Sequence, residues 1–329
     1  MKGKRYSIGV DLGGTSIKSG IVQTSSGKVI TRTILPTQTS LGQRVIISNI
    51  KGSVKGLLEY ASKRGMRIDS IGLGCPGTVD LRTGKIMGMI PNLPQLKNVN
   101  IKKEMQKEFS LPVCVDNDAN AMALAEHRFG AAKGCENCLF LTIGTGIGGG
   151  IILNGKIFRG SKYAGAEFGH VSIKFDGKRC RCGNVGCVES YAAAPAIRKK
   201  TKRLLRKGRS SLLFKWLKGD LEKLSNKLIF EAFKKGDWLA THVVEEVSVY
   251  LGTAIASAVN LLNPEVIVIG GGVGQAGQRF IKMIEKQVKR RVNPSAADFE
   301  MKKAGLGNDA GFIGAALLGG TAEAECPDS

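Results

Sequence analysis

Three cysteines, Cys180, Cys182 and Cys187, fall within eight residues, and His170 lies ten residues before the first of them. Three thiolates and an imidazole make a Cys3His set, the closed tetrahedral ligand type of structural zinc, with no position left for water. A metal held that way folds its loop and leaves the chemistry to other groups. Gly183, Asn184 and Gly186 permit the tight turn that returns Cys187 to its partners. Two carboxylates bracket the cluster, Glu167 three residues before His170 and Glu189 two residues after Cys187. A metal that pins His170 and Cys187 also fixes where both acids point. Two carboxylates and an imidazole on one rigid loop suit bidentate recognition of neighbouring hydroxyls, as on a sugar; the alternative is two solvated surface glutamates.

Chemistry of another kind is spelled out in two glycine-rich turns. In Asp11-Leu-Gly-Gly-Thr15, Gly13 and Gly14 let backbone N–H groups approach a phosphate, Thr15 offers a hydroxyl, and Asp11 can hold Mg2+ through water, with Lys18 three residues on. This turn is neither a Walker loop nor a dinucleotide fingerprint. A second turn of the same build, Gly144-Thr-Gly-Ile-Gly-Gly-Gly150, places Thr145 and Gly146 between two apolar runs. Asp116-Asn-Asp-Ala-Asn120 joins a strand to a helix, which sets Asp118 at the helix N-terminus or in its cap. A carboxylate there, favoured in its ionised form by the helix end, can take a proton from an attacking hydroxyl while Asn117 or Asn120 orients the acceptor. Capping alone is the alternative, but it needs only one of these polar residues. Asn92, in the Pro-bounded loop Pro91-Asn-Leu-Pro94, can hydrogen-bond a polar ligand or sit in a plain connection.

The elements that must carry these groups alternate between strand and helix. Tyr6–Val10 reads as a buried strand, Lys18–Ile30 as a hairpin turning at Ser25–Gly27, and Gly42–Arg64 as helix. Strands follow at Ile68–Gly74 and Leu111–Val115, a helix over Ala119–Phe129, and strands at Cys138–Ile143 and Ile151–Leu153. The repeat of strand, glycine turn and strand predicts two similar α/β lobes, each offering a phosphate turn to a cleft. At 329 residues the chain can build two cores.

Composition narrows the class. Apolar content of 43% and charged content of 23% are ordinary, and no uncharged apolar run is long enough to span a membrane. Eight cysteines without a disulfide pattern point to a reducing cytoplasm, and the CxxC of Cys135 and Cys138 has no second pair to make a site. The net charge of +22 favours anionic partners, and its densest cluster runs from Arg198 to Arg209 as the basic face of a helix. With aromatics at 6% and no helix-turn-helix ahead of the first strand, specific nucleic-acid binding is not expected.

Together DLGGT, CPGTVD, PNLP, DNDAN, GTGIGGG, EFGH, CxCGxxGCxE, the stretch from Asn263 to Gly272 and Leu306–Gly311 resemble the ROK family of bacterial sugar kinases and repressors, and within it the glucokinases. The resemblance covers almost the whole chain. It implies the two-lobed actin-like ATPase (ribonuclease H-like) fold with a zinc-stabilised loop. The small lobe would take residues 1–120 with a C-terminal helix of about 308–329 returning to it, and the large lobe 121–307. It implies ATP-dependent transfer to a hexose hydroxyl, glucose at its 6-hydroxyl first, with Asp118 as general base. Asn92, Asn117, Glu167, His170 and Glu189 match sugar contacts, and His170, Cys180, Cys182 and Cys187 match zinc ligands. Asp11, Gly13, Gly14, Thr15, Thr145 and Gly146 match the phosphate turns, with Lys18 close by, and Gly271 and Gly272 match the turn near the adenosine. Zinc and Mg2+ with ATP are the implied cofactors, and a homodimer or homotetramer is usual for relatives. A kinase for N-acetylmannosamine, N-acetylglucosamine, fructose or allose is the main alternative. A sugar-sensing regulator is the other; it would be expected to carry a helix-turn-helix before the first strand. Gln95-Leu-Lys97 stands where many members carry Gly-Trp, and the basic segment Arg198 to Lys218 lies outside the shared motifs.

Overall fold

The opening apolar run folds as β1 (Tyr6–Leu12), and the alternating stretch behind it as the hairpin of β2 (Ser16–Gln23) and β3 (Lys28–Pro36). The structure, a computed structural model, describes residues 5–88, 90, 93–208, 210–274 and 276–319. In chain order there follow α1 (Gln43–Ser62), β4 (Ile68–Cys75), β5 (Thr78–Asp80), β6 (Lys85–Met87), α2 (Ile101–Gln106), β7 (Val113–Asn117) and α3 (Asp118–Phe129). Then come β8 (Cys138–Ile143), β9 (Ile147–Leu153), β10 (Lys156–Ile157), α4 (Glu189–Ala192), α5 (Ala194–Arg206), α6 (Leu212–Leu217) and α7 (Asn226–Lys234). The chain closes with α8 (Trp238–Leu262), β11 (Val266–Gly270), α9 (Gly271–Gly274), α10 (Gln278–Lys289), β12 (Glu300–Lys303) and α11 (Ala310–Leu317). No helix among the described residues is long and apolar enough to cross a membrane.

Two compact units emerge, one from the described parts of 1–140, 150–166 and 305–329, the other from 141–149 and 167–304. The first holds the sheet β3-β2-β1-β4-β7, antiparallel from β3 to β1 and parallel from β1 to β7. The second sheet runs β10-β9-β8-β11-β12, with β11 and β12 parallel.

In the first unit a fully apolar helix, α11, lies on β1 and β4 at backbone distance. A Cβ on Gly9 would stand 1.7 Å from the Phe312 carbonyl oxygen, and one on Gly72 1.7 Å from that of Ala315. Gly314 is pressed equally close to the Ala121 carbonyl of α3. Only residues without a side chain permit this seam. The expected extension of this helix towards 329 lies outside the described residues beyond 319. The chain enters the helix past Glu126, a carboxylate 1% exposed, which accepts from the backbone N–H groups of Ala131 (2.8 Å), Gly305 (3.0 Å) and Leu306 (2.9 Å). Three donors satisfy a charge that burial would otherwise make costly.

The structure departs from the sequence reading within the second glycine run. Residues 144–150 read as a turn throughout, yet β9 already starts at Ile147. A Cβ on Gly150 would meet the Ala123 Cβ at 2.5 Å, so that glycine serves close packing of α3 and not a turn.

Two glycines test the seam. Gly72→Ala is expected to destabilise the protein by about 3 kcal/mol, the upper end of overpacking costs. Gly52→Ala, inside α1 with open space around it, should stabilise by about 0.5–1 kcal/mol. Thermal unfolding of the two variants reads both signs, and a neutral Gly72→Ala would contradict the packing described.

Candidate active site

Parallel register sets the first half of the site. β1 pairs β4 with Asp11 opposite Gly74, and β4 pairs β7 with Gly74 opposite Asp116 and Cys75 opposite Asn117. Asp11, Cys75 and the Asp116–Asp118 run therefore share the carboxyl ends of three adjacent strands, where open α/β sheets bind ligands. The crowding is felt by Cys75: burial, and then the charges of Asp118, Asp11 and Asp116, push its thiol far above the usual range. It is an inert, neutral thiol beside three acids. Asp11 is 7% exposed, and burial raises its carboxyl pKa against the lowering effect of Lys18, whose ammonium is 4.0 Å away. A Cβ on Gly311 would stand 2.5 Å from the Asp11 carboxyl carbon, so the glycine at the start of α11 leaves room for that acid.

The turn after β1 is closed by Gly13 N–H donating to the Ser16 carbonyl (3.0 Å), while Thr37 binds it from the side, its hydroxyl to the Gly13 carbonyl (2.7 Å) and its N–H to the Thr15 carbonyl (3.0 Å). Gly14 and Thr15 are left at the outer edge of the turn, and the Thr15 side chain is exposed.

At the start of α3 the capping question is answered. Asn117 is the N-cap, its Oδ1 accepting from the N–H groups of Ala119 (2.8 Å) and Asn120 (3.2 Å), and its Nδ2 donating to the Gly77 carbonyl (3.0 Å). Asp118 is the first helical residue, half-buried, with Oδ1 on the Ala119 N–H at 2.8 Å. The cap does not depend on it. Asp116 is buried and accepts at Oδ1 from Asn117 N–H (2.7 Å) and Asn120 Nδ2 (3.1 Å). Its Oδ2 accepts from Arg159 Nε at 2.9 Å. Arg159 escaped the sequence reading, since nothing in the spacing of 43 residues links the pair. Asn92, expected at this end, lies outside the described residues.

The second unit carries the other groups. Glu189 opens α4, and its Oε2 accepts from Ile147 N–H at 2.8 Å; a Cβ on Gly146 would reach that oxygen at 2.6 Å. The glycine turn is thus held by one of the two bracketing acids, while Gly144 bonds across it to the Gly146 carbonyl (2.9 Å) and Thr145 points outward. Glu167 is exposed over part of its surface; desolvation of its carboxyl raises the pKa, opposed by His170 and reinforced by Glu189. These three side chains therefore share one electrostatic neighbourhood.

His170, Cys180, Cys182 and Cys187 converge with all four ligand atoms within 4.8 Å of one another. His170 Nδ1 is 3.9 Å from Cys180 Sγ, and Cys182 Sγ is 3.7 Å from Cys187 Sγ. Tetrahedral zinc at usual bond lengths sets sulfur pairs about 3.8 Å and sulfur–nitrogen pairs about 3.6 Å apart, so the donors fit. The loop is tied by Cys180 N–H to the Asn184 carbonyl (2.7 Å), and Gly186 (φ 77°) passes Lys174 where a side chain would collide with its carbonyl.

A cavity of about 560 Å3 in the same unit is lined by Gly144, Thr145, Ala194, Asn226, Phe230, Glu231, Gly272 and Val273, among others. Its size suits a nucleoside. Gly271 (φ 78°) lies against Ile143, where a Cβ would stand 2.5 Å from that residue's carbonyl, and Gly272 beside it has open space on its Cβ side. Of the residues expected at a nucleotide, Gly272 and Thr145 line the cavity, and Gly271 stands next to Gly272 in the chain. The opposite wall, Asn226, Phe230 and Glu231 of α7, was not foreseen.

The sequence profile of the ROK family matches residues 7–321. The glucokinase of Halalkalibacterium halodurans is 39% identical over 95% of this chain and 94% of its own. An N-acetylglucosamine repressor of Escherichia coli is 34% identical over 85% of this chain and 66% of its own. Among solved structures, a ROK family glucokinase from Streptomyces griseus in complex with glucose and AMPPNP superposes with a TM-score of 0.82 at 32% identity, over 95% of this chain and 98% of that one.

The donor geometry predicts that about one equivalent of Co2+, added to reduced metal-free protein, gives thiolate-to-metal charge-transfer absorption. Cys182→Ser should abolish it and Cys75→Ser should not. Absence of the band in the unsubstituted protein would contradict a four-ligand site.

Proposed function

We propose, for a chain that belongs to the ROK family and has its actin-like ATPase fold, an ATP-dependent hexose kinase that phosphorylates glucose at the 6-hydroxyl. The observation that carries the kinase reading is the division of labour at α3, where Asn117 caps the helix and the Asp118 carboxylate is not required for it. On this reading Asp118 takes the proton of the attacking hydroxyl, and the sugar's other hydroxyls bind Asn117, Glu167, His170, Glu189 and Asn92. A carboxylate placed as base in this way is worth about 10²–10⁴ in rate.

The nucleoside occupies the cavity lined by Gly272 and α7, with Gly271 next to Gly272; Gly13, Gly14 and Thr15, with Lys18 close by, and Thr145 and Gly146 are the proposed phosphate-binding residues. Positioning and charge stabilisation do most of the work in phosphoryl transfer. Asp11, a buried acid with the Lys18 ammonium 4.0 Å away, is the residue suited to hold Mg2+, which when bound with ATP would neutralise phosphate charge. Zn2+ is the metal proposed for His170, Cys180, Cys182 and Cys187, where it supplies rigidity. With Nδ1 turned to the thiolates, the His170 Nε2 remains for a hydroxyl. Free thiols suit a reducing cytoplasm, and a homodimer or homotetramer is the assembly proposed. The lobes proposed are residues 1–120 with the C-terminal helix from about 308, and residues 121–307.

A second reading, a regulator that binds sugar without phosphorylating it, is favoured by one finding, the similarity to the Escherichia coli repressor.

Asp118→Asn is expected to lower kcat about 10²–10⁴-fold while calorimetry finds ATP affinity little changed; undiminished turnover would remove Asp118 as base. The bond from Ile147 N–H to Glu189 predicts a further split. Glu189→Ala should raise KM for both sugar and ATP, whereas Glu167→Ala should raise it for sugar alone. Equal effects of the two variants on the ATP KM would contradict that coupling.

A further inference from the structure

The basic segment after Ala194 takes no part in the proposed chemistry. On α5, Lys199, Lys200 and Arg203 are spaced so that they share one side of the helix. That side meets α8, where Lys200 pairs with Glu246, and Tyr250, one turn on, donates its hydroxyl to Glu246 at 2.5 Å. The Tyr250 ring lies 4.9 Å from that of Tyr191, centroid to centroid, and the Lys178 ammonium stands 4.5 Å over the Tyr191 ring. Lys178 N–H donates to the Tyr191 hydroxyl at 2.6 Å, which fixes the loop to this floor. Four cations from a helix and a loop thus gather around two packed tyrosines.

Their charges are not balanced. Glu246 is the one carboxylate paired with any of the four among the described residues. Lys199 and Arg203 make no ion pair or hydrogen bond there, and the Lys178 ammonium has only the Ser190 carbonyl at 3.4 Å beside the ring. Burial, and then the charges of Arg203 and Lys178, lower the pKa of Lys200. Some surface lysines elsewhere find acids, as Lys55 finds Glu108 at 2.5 Å and Lys289 finds Glu285 at 2.7 Å; what sets these four apart is that they converge on one floor. Cations held together with one acid between them form a receptor for a ligand of several negative charges, and a guanidinium with flanking ammoniums matches phosphate oxygens. Tyr191 is buried and Tyr250 half-buried, so neither offers a face on which a base could stack, which disfavours nucleic acid.

We infer that Lys178, Lys199, Lys200 and Arg203 form a binding site for a multiply charged phosphate ligand, separate from the nucleotide cavity. The ligand is a sugar phosphate ester, such as the proposed product, or a free inorganic phosphate chain. The inference does not depend on the kinase reading.

Isothermal titration of the full chain decides it, with glucose and a non-hydrolysable ATP analogue present at saturation to occupy the other phosphate sites. Glucose 6-phosphate, orthophosphate and tripolyphosphate are titrated in turn at one ionic strength. At least one is expected to bind, and Lys199→Ala/Arg203→Ala should weaken it about tenfold or more, with the melting temperature unchanged. Lys282→Ala/Lys286→Ala, which removes two exposed charges from α10, should leave it within about twofold. Binding of the ester alone identifies a sugar phosphate, and binding of tripolyphosphate above the ester identifies a phosphate chain. Failure of all three to bind, or equal weakening by both double variants, would overturn the site and leave only the diffuse field of a chain of net charge +22.

Discussion

Parallel pairing of β1 with β4 and of β4 with β7 is the constraint on which the first unit's chemistry rests. Because register fixes which residues end level, Asp11 and Asp116 finish level on the two strands that flank β4, with Gly74 between them and Cys75 opposite Asn117 one residue further on. The arrangement is electrostatically unfavourable by itself: burial raises Asp11, and Cys75 is held neutral by burial and the acids around it. Partial compensation comes from Lys18 across the β1–β2 hairpin and from Arg159 on Asp116. An acid-rich strand end beside a glycine turn is suited to a phosphate that brings its own cation. The seam of Gly9, Gly72 and Gly314 holds this geometry from behind, since α11 can reach the strands only where side chains are missing.

The second unit solves a different problem, how to fix two acids on a loop with little apolar weight. Between Phe168 and Val188 the side chains buried below a tenth are mostly the cysteines Cys180 and Cys187, and Phe175 is almost wholly exposed. A core of that kind cannot order some twenty residues. A metal held by the four converging ligand atoms would, because metal–ligand bonds supply folding energy directly. Glu189 then does more than face outward: by accepting from Ile147 it links the loop to the glycine turn that borders the cavity.

Much of this was legible in the sequence because local rules reached it. Strand ends, glycine turns and the Cys3His spacing depend on near neighbours, so β1, β4, β7 and α3 fall where their patterns place them, and His170, Cys180, Cys182 and Cys187 converge. What depends on contact across the fold was not legible. Arg159 reads as any surface arginine until β10 brings its loop to Asp116. Gly150 reads as part of a turn although its purpose is to admit Ala123. Asn226 and Phe230 belong to an ordinary amphipathic helix, and periodicity cannot tell which face borders a cavity. The basic face of α5 was visible as charge, but its pairing with a single acid on α8 was not.

The most direct measurement is a coupled ADP-release assay with Mg-ATP across glucose, fructose, mannose, N-acetylglucosamine and N-acetylmannosamine. The account predicts that glucose leads in kcat/KM by about a hundredfold, which corresponds to about 2.7 kcal/mol of transition-state discrimination. Failure of every sugar to stimulate ADP release would contradict it and leave the non-catalytic reading in its place.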